Sequence, residues 1–137
     1  KKVSYRTYVL VGDGEMDEGS NWEALLFAAH FGLDNLCLII DYNKIQSLGA
    51  TNDVLKLEPL KTKLEAFNLN VIQIDGHDHQ ALFNAFKSIE SLKGKPSVII
   101  ADTIKGKGVS FMENQLLWHY KSPNEEQYNQ AIKEIER

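Results

Sequence analysis

Apolar and β-branched residues gather in four short runs, Thr7 to Val11, Leu36 to Ile40, Val71 to Ile74 and Ser97 to Ala101, each closed by Gly or Asp. Runs this short, apolar at successive rather than alternate positions, predict strands buried on both faces of a parallel sheet. Between them lie segments of helix length with one apolar face, Asn21 to Phe31, Pro59 to Phe67 and His79 to Leu92. The alternation, uninterrupted by a long polar linker, predicts an α/β fold with a doubly wound, mainly parallel sheet, as one domain over residues 1–137. A last segment, Ser122 to Arg137, places Tyr128, Ala131, Ile132 and Ile135 on one side of a short helix that closes the domain or docks a partner.

Local punctuation supports these elements. Ser20-x-x-Glu23 has the spacing of a capping box at the start of the first helix, and Pro59 suits the first turn of the second. The chain enters its first strand almost at once, so the sequence reads as the back portion of a larger domain.

Composition narrows the classes. With 43% apolar and 25% charged residues, the chain is of the globular kind, and its net charge of −4 comes without a basic face, which excludes a nucleic-acid footprint. No apolar stretch approaches the roughly 20 residues that span a bilayer, and no signal-peptide core follows Lys1-Lys2-Val3-Ser4. The single cysteine, Cys37, lies inside an apolar run and reads as a small core residue, with no His or acid beside it to make it a nucleophile. These features lead to the expectation of a cytoplasmic protein.

Open α/β sheets bind ligands beyond the carboxyl ends of their strands. The first strand ends in Gly12-Asp13-Gly14-Glu15, where glycines admit a ligand close to the backbone and Asp13 offers a hard oxygen to a divalent cation. The second ends in Asp41-Tyr42-Asn43-Lys44-Ile45, with Asn43 at 43 − 13 = 30 residues beyond Asp13. One strand-helix-strand unit brings the two side chains to the same edge. A carboxylate, an amide oxygen and one backbone carbonyl leave room in a magnesium octahedron for water and a diphosphate. Gly-Asp-Gly alone is a common turn; the pair at this spacing is far more specific.

That pair resembles the signature of thiamine-diphosphate enzymes, in which the Asp, the Asn and the carbonyl two residues after the Asn hold Mg2+, or Ca2+ or Mn2+ in its place. By this resemblance Asp13, Asn43 and Ile45 are metal ligands, with Gly12, Gly14 and Glu15 beside the diphosphate. The stretches Gly12 to Ala24, Asp41 to Gln46, Asp75 to Asp78, Thr103 to Asn114 and Trp118-His119 are similar to transketolases, most of all to the N-terminal subunit of two-chain ones. The fold implied is the thiamine-diphosphate-binding fold with its front part missing. The activity implied is transfer of a two-carbon ketol unit from a ketose to an aldose, on phosphorylated or modified sugars, as in pentose phosphate metabolism.

The resemblance gives Glu18 and Glu23 a place in a carboxylate network between two cofactor sites, while Glu23 also reads as a capping-box acid. His119 on its own is an ordinary surface histidine; the family places a histidine there against the diphosphate and the substrate. The histidines of Gly76-His77-Asp78-His79 read as turn and helix-start residues, and Lys105-Gly106-Lys107-Gly108 as a phosphate cradle or, preferably, a loop of solvated lysines. Ser47 stands where transketolases commonly carry an apolar residue against the cofactor. The cofactor-activating glutamate and the early substrate-channel histidines have no counterpart. The implied partner is therefore a pyrimidine-binding domain or subunit, in a dimer or heterotetramer. The rival expectations are a non-catalytic docking module and another thiamine-diphosphate enzyme, such as a deoxyxylulose-phosphate synthase. A nicotinamide dehydrogenase is excluded, because no Gly-x-Gly-x-x-Gly follows a strand.

Overall fold

The four apolar runs form the four strands of one parallel sheet in a computed structural model that describes residues 5–136. Lys1 to Ser4 and Arg137, the last residue of the final predicted helix, lie outside the described residues. The strands are β1 (Thr7–Gly12), β2 (Leu36–Tyr42), β5 (Asn70–Asp75) and β6 (Ser97–Asp102), in spatial order β1-β2-β6-β5. Periodicity missed the small elements after β2, namely β3 (Ile45–Gln46), its antiparallel partner β4 (Gly49–Ala50) and the one-turn α2 (Thr51–Val54). They are too short to carry a repeat. The helices predicted between the long strands are α1 (Gly19–His30), α3 (Leu60–Ala66) and α4 (His79–Ser91), and α5 (Glu125–Ile135) ends the described chain.

Alternate residues of each strand feed opposite layers. Leu38, Ile40, Val98 and Ile100 pack with Leu25 of α1 and with Leu60 and Leu64 of α3. Cys37 and Ile99 point the other way, onto Ala85 and Ile89 of α4. Helices therefore cover both faces, as a doubly wound sheet requires.

The expectation of strands buried on both faces fails for β1. As an edge strand it leaves Tyr8, Val9 and Leu10 at 48%, 40% and 70% exposure, and on neighbouring α1 Phe27 is also exposed, as is Phe31 at its end. An apolar run marks a strand that something covers, but it does not say that the cover lies within these residues. The predicted capping box fails too. Helix α1 begins at Gly19 with Glu18 as its N-cap, so Ser20 already lies inside the helix. The start is pulled back by Asn21 Nδ2, which donates to Glu15 O at 2.6 Å, and by Trp22 Nε1, which donates to Met16 O at 2.7 Å. The unforeseen cap is on α5, where Asn124 and Gln127 exchange side-chain and backbone hydrogen bonds.

Burial pushes the Cys37 thiol up to about 11. A native chain is expected to ignore a thiol-reactive disulfide reagent at pH 8 and to release its single equivalent only in denaturant. Rapid native reaction would show that the α4 layer opens.

Candidate functional site

The parallel register sets Gly12 beside Asp41 and Tyr42 beside Asp102, so three strands finish at one edge. There the chain leaves β1 through a 3-10 turn, Asp13–Asp17, and leaves β2 through the Asn43-Lys44 corner into β3. Lys44 adopts φ 68°, which lets the chain reverse within two residues. A cavity of about 560 Å³ opens between these two exits.

Gly12, Asp13, Gly14, Glu15 and Glu18 line it from the β1 side, and Asn43 and Ile45 from the β2 side. His119 reaches it from a second 3-10 turn, Leu116–His119. The structure thus brings together every site residue read from the sequence except Glu23, which is exposed on α1 and does not line the cavity.

Asp13 is the buried charge at the centre, 2% exposed. Its Oδ2 accepts from the Lys44 backbone amide at 2.5 Å, tying the two strand exits together. Desolvation raises its pKa above the ordinary carboxylate value; the amides of Lys44 and Gly14 oppose that rise, and the charges of Asp41 and Asp17 add to it. Among the described residues no cationic side chain pairs with Asp13, since Lys44 reaches Asp102 instead, at 3.2 Å.

Asn43 is held by its own loop. Its Oδ1 accepts from the Ile45 amide at 3.0 Å, and its Nδ2 donates to Asp41 Oδ1 at 3.4 Å. Asp41 in turn accepts from the Thr103 hydroxyl, which locks the end of β6 to the same corner. Glu15 Oε2 accepts from the Gly12 amide at 2.7 Å and so caps the 3-10 turn from within the cavity.

The lysine-rich loop after β6 is a built turn rather than a loose one. Gly106 has φ +74°, and a Cβ there would lie 2.7 Å from the Met112 backbone, so only glycine permits the packing. The Asn114 amide closes the turn onto Lys105 O at 2.9 Å. Lys105 then lines the cavity, while Lys107 turns outward to within 3.9 Å of Glu113. His77 supports this loop by accepting from the Ile104 amide at 2.8 Å. Trp118 returns the chain, its Nε1 donating to Phe111 O at 2.9 Å, and so brings His119 back to the cavity.

Sequence reasoning missed Asp17, Gln46, Leu48 and Val54 on the cavity wall. Ser47 also lines it, and Leu48, the next residue, supplies an apolar side chain there. No periodicity announced these residues, because the 3-10 turn, the β3-β4 hairpin and the one-turn α2 that present them are each too short to carry a repeat.

Charge constrains what the cavity can hold. Asp13, Glu15, Asp17 and Glu18 face only Lys105 and His119. An anion entering unaccompanied would meet net repulsion; an anion bridged by a divalent cation would not. The residues fit such a cation, since a buried carboxylate lacking a cationic partner, an amide oxygen and an adjacent backbone carbonyl form an all-oxygen donor set. Among the described residues no three His, Cys, Asp or Glu side chains cluster as a metal cage of their own.

Fold and cavity together define a doubly wound α/β domain with its ligand edge at the strand carboxyl ends. The sequence model described as "Transketolase, thiamine diphosphate binding domain" matches residues 1–135. The chain is 46% identical over 130 residues to one subunit of an apulose-4-phosphate transketolase from Actinobacillus succinogenes, covering 95% of this chain and 47% of that protein. It is 44% identical over 130 residues to the 6-deoxy-6-sulfo-D-fructose transketolase subunit SqwG from a Clostridium species, with the same coverages of 95% and 47%. The crystal structure of transketolase from Campylobacter jejuni superposes with a TM-score of 0.91 at 31% identity, over 98% of this chain and 21% of that one. The chain belongs to the transketolase thiamine-diphosphate-binding domain family. It spans about half the length of the two transketolase-subunit relatives.

Proposed function

We propose that the chain supplies the metal and diphosphate half of a transketolase-type site, in an enzyme that moves a two-carbon ketol unit from a ketose to an aldose. The observation that carries this reading is the convergence of Asp13, Asn43, Ile45 and Gly14 on one cavity, with His119 brought to it from beyond the last strand. Asp13 Oδ, Asn43 Oδ1 and the Ile45 carbonyl would hold Mg2+, and the cation would carry the diphosphate over Gly14. Thiamine diphosphate supplies the carbon-carbon bond chemistry when bound. The chain's own residues bind and orient it.

His119 and Lys105 are the cationic or hydrogen-bonding side chains on the far wall, placed to meet phosphate oxygens or substrate hydroxyls. Glu18, at the N-cap of α1 on the cavity rim, and Glu23, on the same helix, would face a second site across an interface. The partner is a pyrimidine-binding transketolase domain or subunit, in a dimer or heterotetramer. Support for such a cover comes from the edge strand β1 and α1, where Leu10, Phe27 and Phe31 remain 70%, 59% and 58% exposed. The sugars are phosphorylated or otherwise anionic ketoses, as the names of the transketolase-subunit relatives indicate for those proteins.

The test is reconstitution. The chain mixed with a pyrimidine-domain partner, Mg2+ and thiamine diphosphate is expected to transfer a ketol unit from a ketose phosphate to an aldose phosphate, and omission of Mg2+ or of either polypeptide is expected to abolish transfer. A complex that forms, binds no thiamine diphosphate and stays inactive with every sugar tried would favour a non-catalytic docking module.

A further inference from the structure

Gln46 is the second residue of β3, immediately after the carbonyl placed on the metal, and it is only 6% exposed. Its side chain lies across Gly14, with Cγ, Cβ and Cδ 3.3, 3.5 and 3.6 Å from where a Cβ on that glycine would stand. Gln46 lines the cavity, yet its buried Nε2 has no hydrogen-bond partner. A buried amide left unpaired is unfavourable, and native folds rarely tolerate one without a reason. Asp17, which lines the same cavity, has a buried acceptor, Oδ1, that is also unpartnered. Donor and acceptor therefore share one cavity without satisfying each other.

The two orphans match the two halves of a hydrated cation-phosphate group. Phosphate oxygens only accept, which suits the Gln46 amide. Waters held by a small divalent cation donate strongly, which suits the Asp17 carboxylate. Gln46 also lies over the glycine that the diphosphate would approach.

We propose that Gln46 is a diphosphate-contacting residue whose side-chain amide donates to an oxygen of the bound group above Gly14. The inference rests on the reading of the cavity given under Proposed function. It adds a neutral donor to a wall otherwise crowded with carboxylates, and it gives the β3-β4 hairpin a task in binding.

Gln46→Met keeps length and packing over Gly14 while removing the donor. Calorimetric titration of the chain with inorganic pyrophosphate in excess Mg2+ is expected to show about tenfold or greater weakening, the loss that accompanies one hydrogen bond to a charged group. Gln46→Glu is expected to weaken binding further by adding a like charge. Thermal unfolding without ligand supplies the second readout, and Gln46→Met is expected to melt no lower than the native chain, because its orphan donor is gone. Undiminished binding by Gln46→Met overturns the assignment alone. A lower melting temperature with unchanged pyrophosphate affinity also overturns it, since the amide would then serve the fold, by pairing with Asp17. A native chain that takes up no Mg2+-pyrophosphate overturns the cavity reading together with the proposal.

Discussion

Asp13→Ala is expected to weaken binding of Mg2+-thiamine diphosphate by at least about 100-fold, because even groups that merely orient metal ligands are worth about 10- to 100-fold. Asp13 is the one buried carboxylate in the proposed donor set, so its removal takes away the cation's only charged protein ligand. Asn43→Ala is expected to act in the same direction and less strongly, since it removes a neutral oxygen and frees the Ile45 amide. Calorimetry with and without Mg2+ checks both variants; binding that stays equal to the native chain's would disprove the metal assignment.

The same residue predicts an opposite effect on the metal-free chain. Burial raises the Asp13 pKa in the folded state, so the native form holds the proton more tightly than the unfolded form does. This group's contribution is therefore most favourable below its unfolded value of about 3.9, and it declines as pH rises through the raised folded value. At neutral pH, Asp13→Asn without metal is expected to melt higher than the native chain, with the gap closing toward pH 4. Added Mg2+ and diphosphate are expected to stabilise only the native chain. A variant less stable than the native chain at pH 7 would show that the backbone amides of Lys44 and Gly14 outweigh desolvation.

Met16→Ala has the largest expected effect on stability, about 2–5 kcal/mol. Met16 is fully buried in the 3-10 turn that carries Asp13, packed in the layer of Val11, Leu25 and Ile40, and its carbonyl accepts from Trp22. The turn has no regular ladder to hold it, so this side chain is its anchor. Urea denaturation monitored by the fluorescence of Trp22 and Trp118 together checks the value. A loss below about 1 kcal/mol would mean that the turn is held by its hydrogen bonds instead.

How much was legible in the sequence depended on the length of the signal. The four strands were found within one or two residues because each apolar run is bounded by Gly or Asp, and the helices between them carry a repeat long enough to see. Asp13 and Asn43 could be singled out because two short motifs sit one strand-helix-strand unit apart. Gln46 and Asp17 could not be, since each becomes noticeable only when its missing partner is counted in three dimensions. The Lys105 and Lys107 pair was equally opaque: identical residues two apart, one turned into the cavity by the Gly106 turn and the other turned out toward Glu113. Exposure of β1 was beyond reach for another reason, because hydrophobicity records that a surface is covered and not by what.

The pairing of Gly12 with Asp41 across β1 and β2 has a thermodynamic consequence. Asp13 and Asn43 leave adjacent strands whose register is fixed by the backbone ladder, so their separation is set when the chain folds rather than when a ligand arrives. Affinity and global stability should then be decoupled. A core substitution remote from the strand exits would leave the dissociation constant unchanged up to the point at which unfolded molecules accumulate, and beyond that point it would fail all at once.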